Sequence, residues 1–247
     1  MFVAGLPKSG TTWLEMMLCD LTGYKTLMLP DATRHELRFG GSHDFELPIR
    51  PLRRLRGCPA VMKLHACGSQ HNVDLLRSLD LKYVVLFRDL RDVAVSHLHY
   101  VRKTPWHPEY PVYASLDFEG GLRHFAETLL RDFVSWVRTW RSHCDPEFGL
   151  VCTYENLTKD TVEVLESIVE HLRFRTSREA IRRVVEKNDF SRLSGGRRSG
   201  EEDRQSFFRK GTPGDWVNHF TPSVKKRFKE VAGDFFIDLG YETDSDW

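Results

Sequence analysis

The sequence predicts a single α/β domain in which a mostly parallel central sheet is flanked by helices. Three observations carry that expectation. Four short, mainly apolar segments (2–5, 60–64, 82–87 and 149–153) are each followed by a stretch with helical periodicity. They lack the strict alternation of a half-solvated strand, as strands covered on both faces do. No repeat, low-complexity tract or linker divides the 247 residues, a length that one core can serve.

In chain order, Phe2–Gly5 ends at a glycine as a buried strand does, and from Gly10 the residues Leu14, Met17, Leu18 and Leu21 keep helical spacing. Residues 24–58, rich in proline, glycine and arginine, offer no assignable element. Ala60–Leu64 reads as a strand and Val73–Leu79 as a short helix. Tyr-Val-Val-Leu-Phe within Lys82–Phe87 is the clearest buried strand. Helix returns over 91–102, and the three prolines between 105 and 111 make 107–113 a loop. The longest helix is expected from Phe118 to Trp140, where Leu122, Phe125, Leu129, Phe133, Trp136 and Trp140 form one stripe. Gly149–Thr153 is a fourth strand. Helices follow near 160–172 and 177–187, the second opened by the capping box Thr176-x-x-Glu179. Residues 189–217 are polar and aperiodic, and Thr221-Pro222 starts a final helix.

Thirty-six lysines and arginines against 35 aspartates and glutamates leave a net charge of +1, so no global field draws the chain to nucleic acid or an anionic membrane. Affinity for an anion must come from a local site. No apolar run approaches the ~20 residues of a membrane helix, which argues against membrane insertion. The start, Met1-Phe2-Val3-Ala4-Gly5, lacks a basic segment followed by a long apolar one. Five cysteines without a CxxC pair disfavour disulfides and thiolate metal sites and favour a reducing, cytoplasmic setting.

Gly5-Leu6-Pro7-Lys8-Ser9-Gly10-Thr11-Thr12 lies between the first strand and the first helix. Two glycines four residues apart in that context suit a P-loop, whose backbone N–H groups wrap a phosphate. The Walker pattern would place lysine at position 11; Thr11 stands there, and the lysine sits inside the loop at Lys8. The plainer alternative is a strand–helix turn with a solvated lysine. Ligands of open parallel sheets gather beyond the carboxyl ends of the strands. The four strands deliver Lys8, then Lys63 and His65, then Arg88, then Tyr154 to that edge. Such a set suits a multiply phosphorylated ligand and a proton transfer. Arg88 equally suits a surface pairing with Asp89 or Asp92. A later basic cluster, Phe207-Phe208-Arg209-Lys210-Gly211 with Gly214-Asp215-Trp216, reads as an anion site or a solvated turn. Arg50, Arg53, Arg54 and Arg56 read as a solvated face.

Three blocks then resemble the cytosolic-type sulfotransferases, in the family's order: Pro7-Lys8-Ser9-Gly10-Thr11-Thr12-Trp13, Phe87-Arg88-Asp89 leading to Asp92-Val93-Ala94-Val95-Ser96, and Arg209-Lys210-Gly211 with Gly214-Asp215-Trp216. The resemblance implies one sulfotransferase domain over residues 1–247, of P-loop nucleotide-binding type. Such an enzyme moves a sulfuryl group from 3′-phosphoadenosine 5′-phosphosulfate (PAPS) to a hydroxyl or amine of a small-molecule acceptor, leaving 3′-phosphoadenosine 5′-phosphate (PAP). It implies that Lys8, Ser9, Gly10, Thr11 and Thr12 hold the 5′-phosphosulfate and that Trp13 stacks near the adenine. Arg88, Ser96, Arg209, Lys210 and Gly211 bind the 3′-phosphate. Tyr154, Phe190 and Phe208 complete the nucleotide site, Asn188-Asp189-Phe190 matching the family's adenine segment only loosely. His65, in Lys63-x-His65, is the implied base; Lys8 and Lys63 are placed to stabilise the leaving oxygen, and Ser96 to hold Lys8 back until acceptor binds. The family needs no metal, and the strand at 82–87 ends in Arg88 rather than a Walker-B aspartate.

The family's dimer segment is not matched at Val217, Thr221-Pro222 or Lys226, so the sequence decides neither monomer nor dimer. Tyr24, Phe39, Phe45, Trp106, Tyr110 and Tyr113 either line an apolar pocket for a phenol or alcohol or belong to the core. Two other readings stay open: a P-loop kinase using ATP on a small molecule, and a nucleotide-binding regulator without catalysis.

Overall fold

The computed structural model describes residues 1–39 and 43–247. Among them the chain runs β1 (Phe2–Gly5), α1 (Thr11–Thr22), β2 (Lys25–Leu27), α2 (Pro30–Phe39), α3 (Ile49–Arg54), β3 (Ala60–Leu64), α4 (Gln70–Ser78) and β4 (Tyr83–Phe87). Then come α5 (Leu90–Arg102), α6 (Tyr110–Ser115), α7 (Phe118–Thr128), α8 (Leu130–His143), β5 (Gly149–Thr153), α9 (Tyr154–Lys159), α10 (Thr161–His171) and α11 (Arg178–Lys187). The chain closes with α12 (Phe190–Leu193), a 3₁₀ turn at Asp215–Asn218, α13 (Pro222–Ala232) and α14 (Phe235–Asp238).

The five described strands form one sheet in the order β2-β3-β1-β4-β5, every neighbouring pair parallel. The first strand is central, flanked by β3 and β4, so chain leaves its carboxyl end in opposite directions on its two sides. That is the topological switch point where α/β sheets open a crevice. Alternation survives inside the apolar strands as a choice between two cores. Phe2, Ala4, Met62, Leu64, Tyr83, Val85 and Phe87 join the larger cluster, with residues of α4, α5, α7, α8 and α13. Val3, Val61, Val84 and Leu86 face the smaller one, with residues of α1, α10 and α11. Helices therefore cover both faces, as the apolar runs predict.

Several local expectations change. The segment 24–58 contains three elements. Strand β2 is a three-residue edge strand with no buried position, and α2 buries only Ala32 fully, so neither carries an apolar signature. The prolines at 105–111 do not exclude helix: Pro111 sits at the start of α6, where a missing N–H costs no intrahelical bond. The expected long helix is broken at Leu129 into α7 and α8. Thr128, one residue before the break, donates its hydroxyl to the His124 carbonyl at 2.8 Å, a back-bond that bends helices without disturbing the stripe's spacing. At α11 the cap is Ser177, which accepts from the Ala180 N–H at 3.1 Å, one residue later than the predicted box. Thr221 caps α13 as expected.

The β3–α4 connection is pinned by two indoles. Trp136 and Trp140 both donate to the Ala66 carbonyl at 3.0 Å, and a Cβ on Gly68 would lie 2.4 Å from the Trp140 backbone nitrogen. No flexible side chain absorbs that clash. Gly68→Ala is therefore expected to cost about 1–3 kcal/mol, as overpacking does. Urea denaturation should show an earlier midpoint with an unchanged slope; an unmoved midpoint would refute the fit.

Candidate active site

The loop after β1 is shaped by two glycines and a strained lysine. A Cβ on Gly5 would lie 1.9 Å from Thr11 Cγ2, and one on Gly10, whose φ is +79°, would enter the Tyr154 ring at 2.6 Å. Lys8 itself holds φ +65°, unusual for a residue with a Cβ. The loop is anchored by the Leu6 N–H donating to Leu86 at 2.9 Å and the Ser9 N–H donating to Leu6 at 3.3 Å. Gly10 offers no side chain to cap α1, and its first turn holds no acid, so the positive end of the helix is left for an anion.

This loop forms one wall of a cavity of about 470 Å³. Lys8, Gly10, Thr11, Thr12 and Trp13 line it from the first strand end, Lys63 and His65 from β3, Arg88 and Ser96 from β4 and α5, and Tyr154 from β5. Phe190, Phe208, Arg209, Lys210 and Gly211 close it from the late segment. All sequence-predicted site residues thus meet around one space except Ser9. The Ser9 side chain is fully buried, its hydroxyl without a partner.

Like charge is concentrated here. Burial pushes the Lys8 ammonium down to about 7, and Lys103, Arg88, Lys63 and Arg209 add to that effect. Its Nζ rests 3.9 Å from the Tyr100 ring centroid rather than on the Ser96 hydroxyl. Lys63 leans toward Glu15 at 3.9 Å. Burial, with Lys63 next, lowers His65 to about 4, so its ring is neutral near pH 7. His65 Nδ1 bonds the Gly5 carbonyl; a carbonyl only accepts, so Nδ1 carries the proton and Nε2 is bare. Trp136 Nε1 fixes the His65 backbone carbonyl from behind at 2.9 Å.

Arg88 is buried, donates to Asp92 at 2.8 Å and the Thr212 carbonyl at 3.0 Å, and lies 4.3 Å from the Tyr154 ring centroid. The pairing with Asp92 thus forms, but buried rather than at the surface, and the Arg88 Nε has no partner. Asp92 also accepts from the N–H groups of Gly214 (2.7 Å) and Trp216 (2.9 Å), joining α5 to the late segment. Asp215, equally buried, gathers Arg209, Lys210, Asn218 and His219. Burial opposes its ionisation, but hydrogen bonds from His219, Lys210, Arg209 and Asn218 outweigh that and hold it well below the carboxylate range. Arg197 donates to the carbonyls of Phe208 (2.6 Å) and Arg209 (2.8 Å), which organises a stretch that sequence shows only as aperiodic. At Gly211, with φ +71°, a Cβ would enter the Phe190 ring at 2.3 Å.

Trp13 stands edge-on to Tyr154, centroids 6.5 Å apart, and donates Nε1–H to the Asn188 carbonyl at 2.8 Å. Asn188 thus orients Trp13 while its own amide bonds Asp20. The rest of the cavity carries the apolar side chains Met28, Leu37, Phe39, Trp106, Leu129 and Phe133, with Glu36, His43, His97, His107 and Glu109 lining it as well. Of the aromatics left open above, Phe39 and Trp106 line it, whereas Phe45 and Tyr113 are core, Tyr110 packs on the core and Tyr24 packs on Phe174. Arg50, Arg53, Arg54 and Arg56 are exposed elsewhere. Sequence reasoning gave no role to Glu15 or Asp215, although Asp215 lies inside a motif block, and it offered Asp92 only as a surface partner of Arg88. It gave none to Glu36 or Tyr100, which line the cavity. Glu36 left no signal, because α2 was not recognisable.

The family model of the sulfotransferase domain matches residues 1–240. Human sulfotransferase 1C2 is 21% identical, the alignment covering 94% of this chain and 81% of that protein. Rat sulfotransferase 2B1 is 27% identical over 93% of this chain and 68% of its own. Among solved structures, mouse sulfotransferase SULT7A1 complexed with PAP superposes with a TM-score of 0.65 at 23% identity, covering 98% of this chain and 85% of that one. Retinol dehydratase in complex with androsterone and PAP gives 0.69 at 21%, covering 96% and 80%.

Asp215→Asn removes the buried charge that Arg209 and Lys210 pair with, and should cost about 3–5 kcal/mol at pH 7. A depressed carboxylate stabilises above its unfolded pKa, near 4, and that stability is lost as pH falls toward the lower folded value. The gap between wild type and variant in denaturation should therefore be full at pH 7 and narrow below about pH 4. A gap that stays constant into acid would contradict the assignment.

Proposed function

The chain belongs to the sulfotransferase family and is a PAPS-dependent enzyme of that type; on this premise we propose that His65 is the base by which it sulfates a small-molecule alcohol or phenol. The observation that carries the proposal is the bare Nε2 of a neutral His65 at the junction of the cationic and apolar halves of one cavity. The kinase alternative finds no support in a family match that spans nearly the whole chain. A non-catalytic regulator would leave His65 without a use.

The residues present fit a nucleotide with an anion at each end. Lys8, depressed because it is buried among cations, gains by meeting one, and Thr11 and Thr12 open an uncapped helix beside it. Arg88, Ser96, Arg209, Lys210 and Gly211 take the 3′-phosphate in this reading, the buried Arg88 Nε lacking any other partner. Trp13, Tyr154, Phe190 and Phe208 supply the aromatic slot between. The bound donor supplies an activated sulfuryl group on a phosphate leaving group. His65 Nε2 takes the hydroxyl proton as that oxygen bonds sulfur and the bond from sulfur to the bridging oxygen breaks. The charge appearing on the bridging oxygen is met by Lys8 and Lys63, leaving a sulfate ester, PAP and a protonated His65. Residues 1–247 act as one sulfotransferase domain in this reading. The five free cysteines suit a cytoplasmic setting, and no helix among the described residues is long and apolar enough to cross a membrane.

Calorimetry with PAP and ADP, without metal, tests the donor assignment. PAP should bind at least ~10-fold more tightly, about 1.4 kcal/mol. In His65→Ala, turnover should fall about 10²–10⁴-fold, the usual worth of a positioned base, with PAP affinity kept. Retained turnover would eliminate His65 as the base.

Affinity for PAP should also follow a bell against pH. It rises as the phosphates complete ionisation near pH ~6. Above about 7 Lys8 is neutral in the free protein and must take up a proton on binding, so affinity falls. Lys8→Met should flatten the alkaline limb; a limb unchanged in that variant would assign it elsewhere.

A further inference from the structure

Within the apolar half of the cavity lies an acid that nothing above uses. Glu36 sits on α2, whose Thr33, Glu36 and Leu37 share one face toward the cavity. Its Oε1 is 4.0 Å from His65 Nε2, the atom assigned to receive the acceptor's proton. Its side chain is 47% exposed, and Tyr100 feels its charge. Among the described lining residues the only other acid is Glu109, which is engaged by His97 at 3.1 Å.

We propose that Glu36 selects an acceptor that carries an ammonium group next to its reacting hydroxyl, a vicinal amino alcohol on an apolar body. This rests on the sulfotransfer reading and specifies its acceptor. A neutral alcohol has one proton to donate, yet Nε2 and the Glu36 carboxylate both stand as acceptors within 4.0 Å of each other. A hydroxyl that turns to Glu36 leaves the base, and one that turns to His65 leaves a carboxylate stranded once the apolar body expels water. An adjacent ammonium resolves that conflict. It donates to Glu36 while the hydroxyl donates to Nε2, and the short separation of the two protein atoms suits neighbouring carbons. The ammonium has no lone pair, so it is a handle and not the nucleophile.

The nearby cations do not satisfy Glu36 instead. Lys63 leans on Glu15, and Lys8 lies over Tyr100. Both are the residues assigned to the donor's anion and are neutralised by it. The rest of the acceptor lies against Met28, Leu37, Phe39 and Trp106, all exposed apolar side chains lining the cavity.

The matched probes are 2-amino-1-phenylethanol and 1-phenyl-1-propanol, which differ by an ammonium against a methyl. Each is titrated calorimetrically into the PAP-loaded full chain, and each is assayed as acceptor. The wild type should bind the amine at least 10-fold more tightly, with the preference carried by KM rather than kcat. Glu36→Gln should bring that ratio to within about threefold, and Glu36→Asp, which keeps the charge, should retain part of it. Equal or tighter binding of the neutral alcohol by wild type overturns the proposal, as does a ratio unchanged in Glu36→Gln. If Glu36→Gln fails to fold, the wild-type ratio decides alone. Failure of PAP to bind would count against the donor assignment, and the amine-to-alcohol ratio on the unloaded chain would still judge Glu36.

Discussion

A buried gathering of cations is the constraint around which the described site is built. Lys63, Arg88 and Arg209 line one cavity with Lys8, and each disfavours the charge on Lys8. Left to themselves such groups would repel one another or admit water. The chain answers with carboxylates placed behind them and away from the ligand space: Glu15 for Lys63, Asp92 for Arg88, Asp215 for Arg209 and Lys210. Each acid holds its cation in place without filling the space an anion needs. The same acids tie distant segments together, because Asp92 on α5 also bonds the backbone at 214 and 216. Order in the late segment and the shape of the anion site thus rest on the same bonds.

The sheet order makes that convergence possible. With β1 in the middle and β3 and β4 beside it, four consecutive strand ends open onto one crevice. Packing then sets the fine positions. The Gly5–Thr11, Gly10–Tyr154 and Gly211–Phe190 contacts are too close for a Cβ, so three backbone segments approach rings and side chains that otherwise could not reach the cavity wall.

What sequence discloses is what burial writes into it. Strands covered on both faces are apolar, and their ends can be counted, so Lys8, Lys63, His65, Arg88 and Tyr154 were legible as one edge. Motif blocks added the late cluster. Strand β2 was invisible because its side chains are largely exposed, and α2 because it buries only Ala32 fully and so offers no apolar stripe to read. Residues 197–211 were opaque for another reason. Their order comes from polar bonds such as Arg197 to Phe208 and Ser199 to Gly211, which follow no period.

The cations that hold a donor also weaken the base, and this tension orders the reaction. His65 is lowered to about 4 by burial and by Lys63 and Lys8, which leaves it neutral but a poor proton acceptor. A doubly anionic ligand against Lys8 and Lys63 cancels the two charges that depress it, and the basicity of Nε2 rises toward the ordinary imidazole value. Burial, the largest cause, and His43 still hold it down, partly offset by the Gly5 carbonyl on Nδ1, so the rise is partial. A hydroxyl that arrives first meets a weak base; one that arrives after the nucleotide meets a stronger one. The electrostatics thus favour donor before acceptor, with no moving part required.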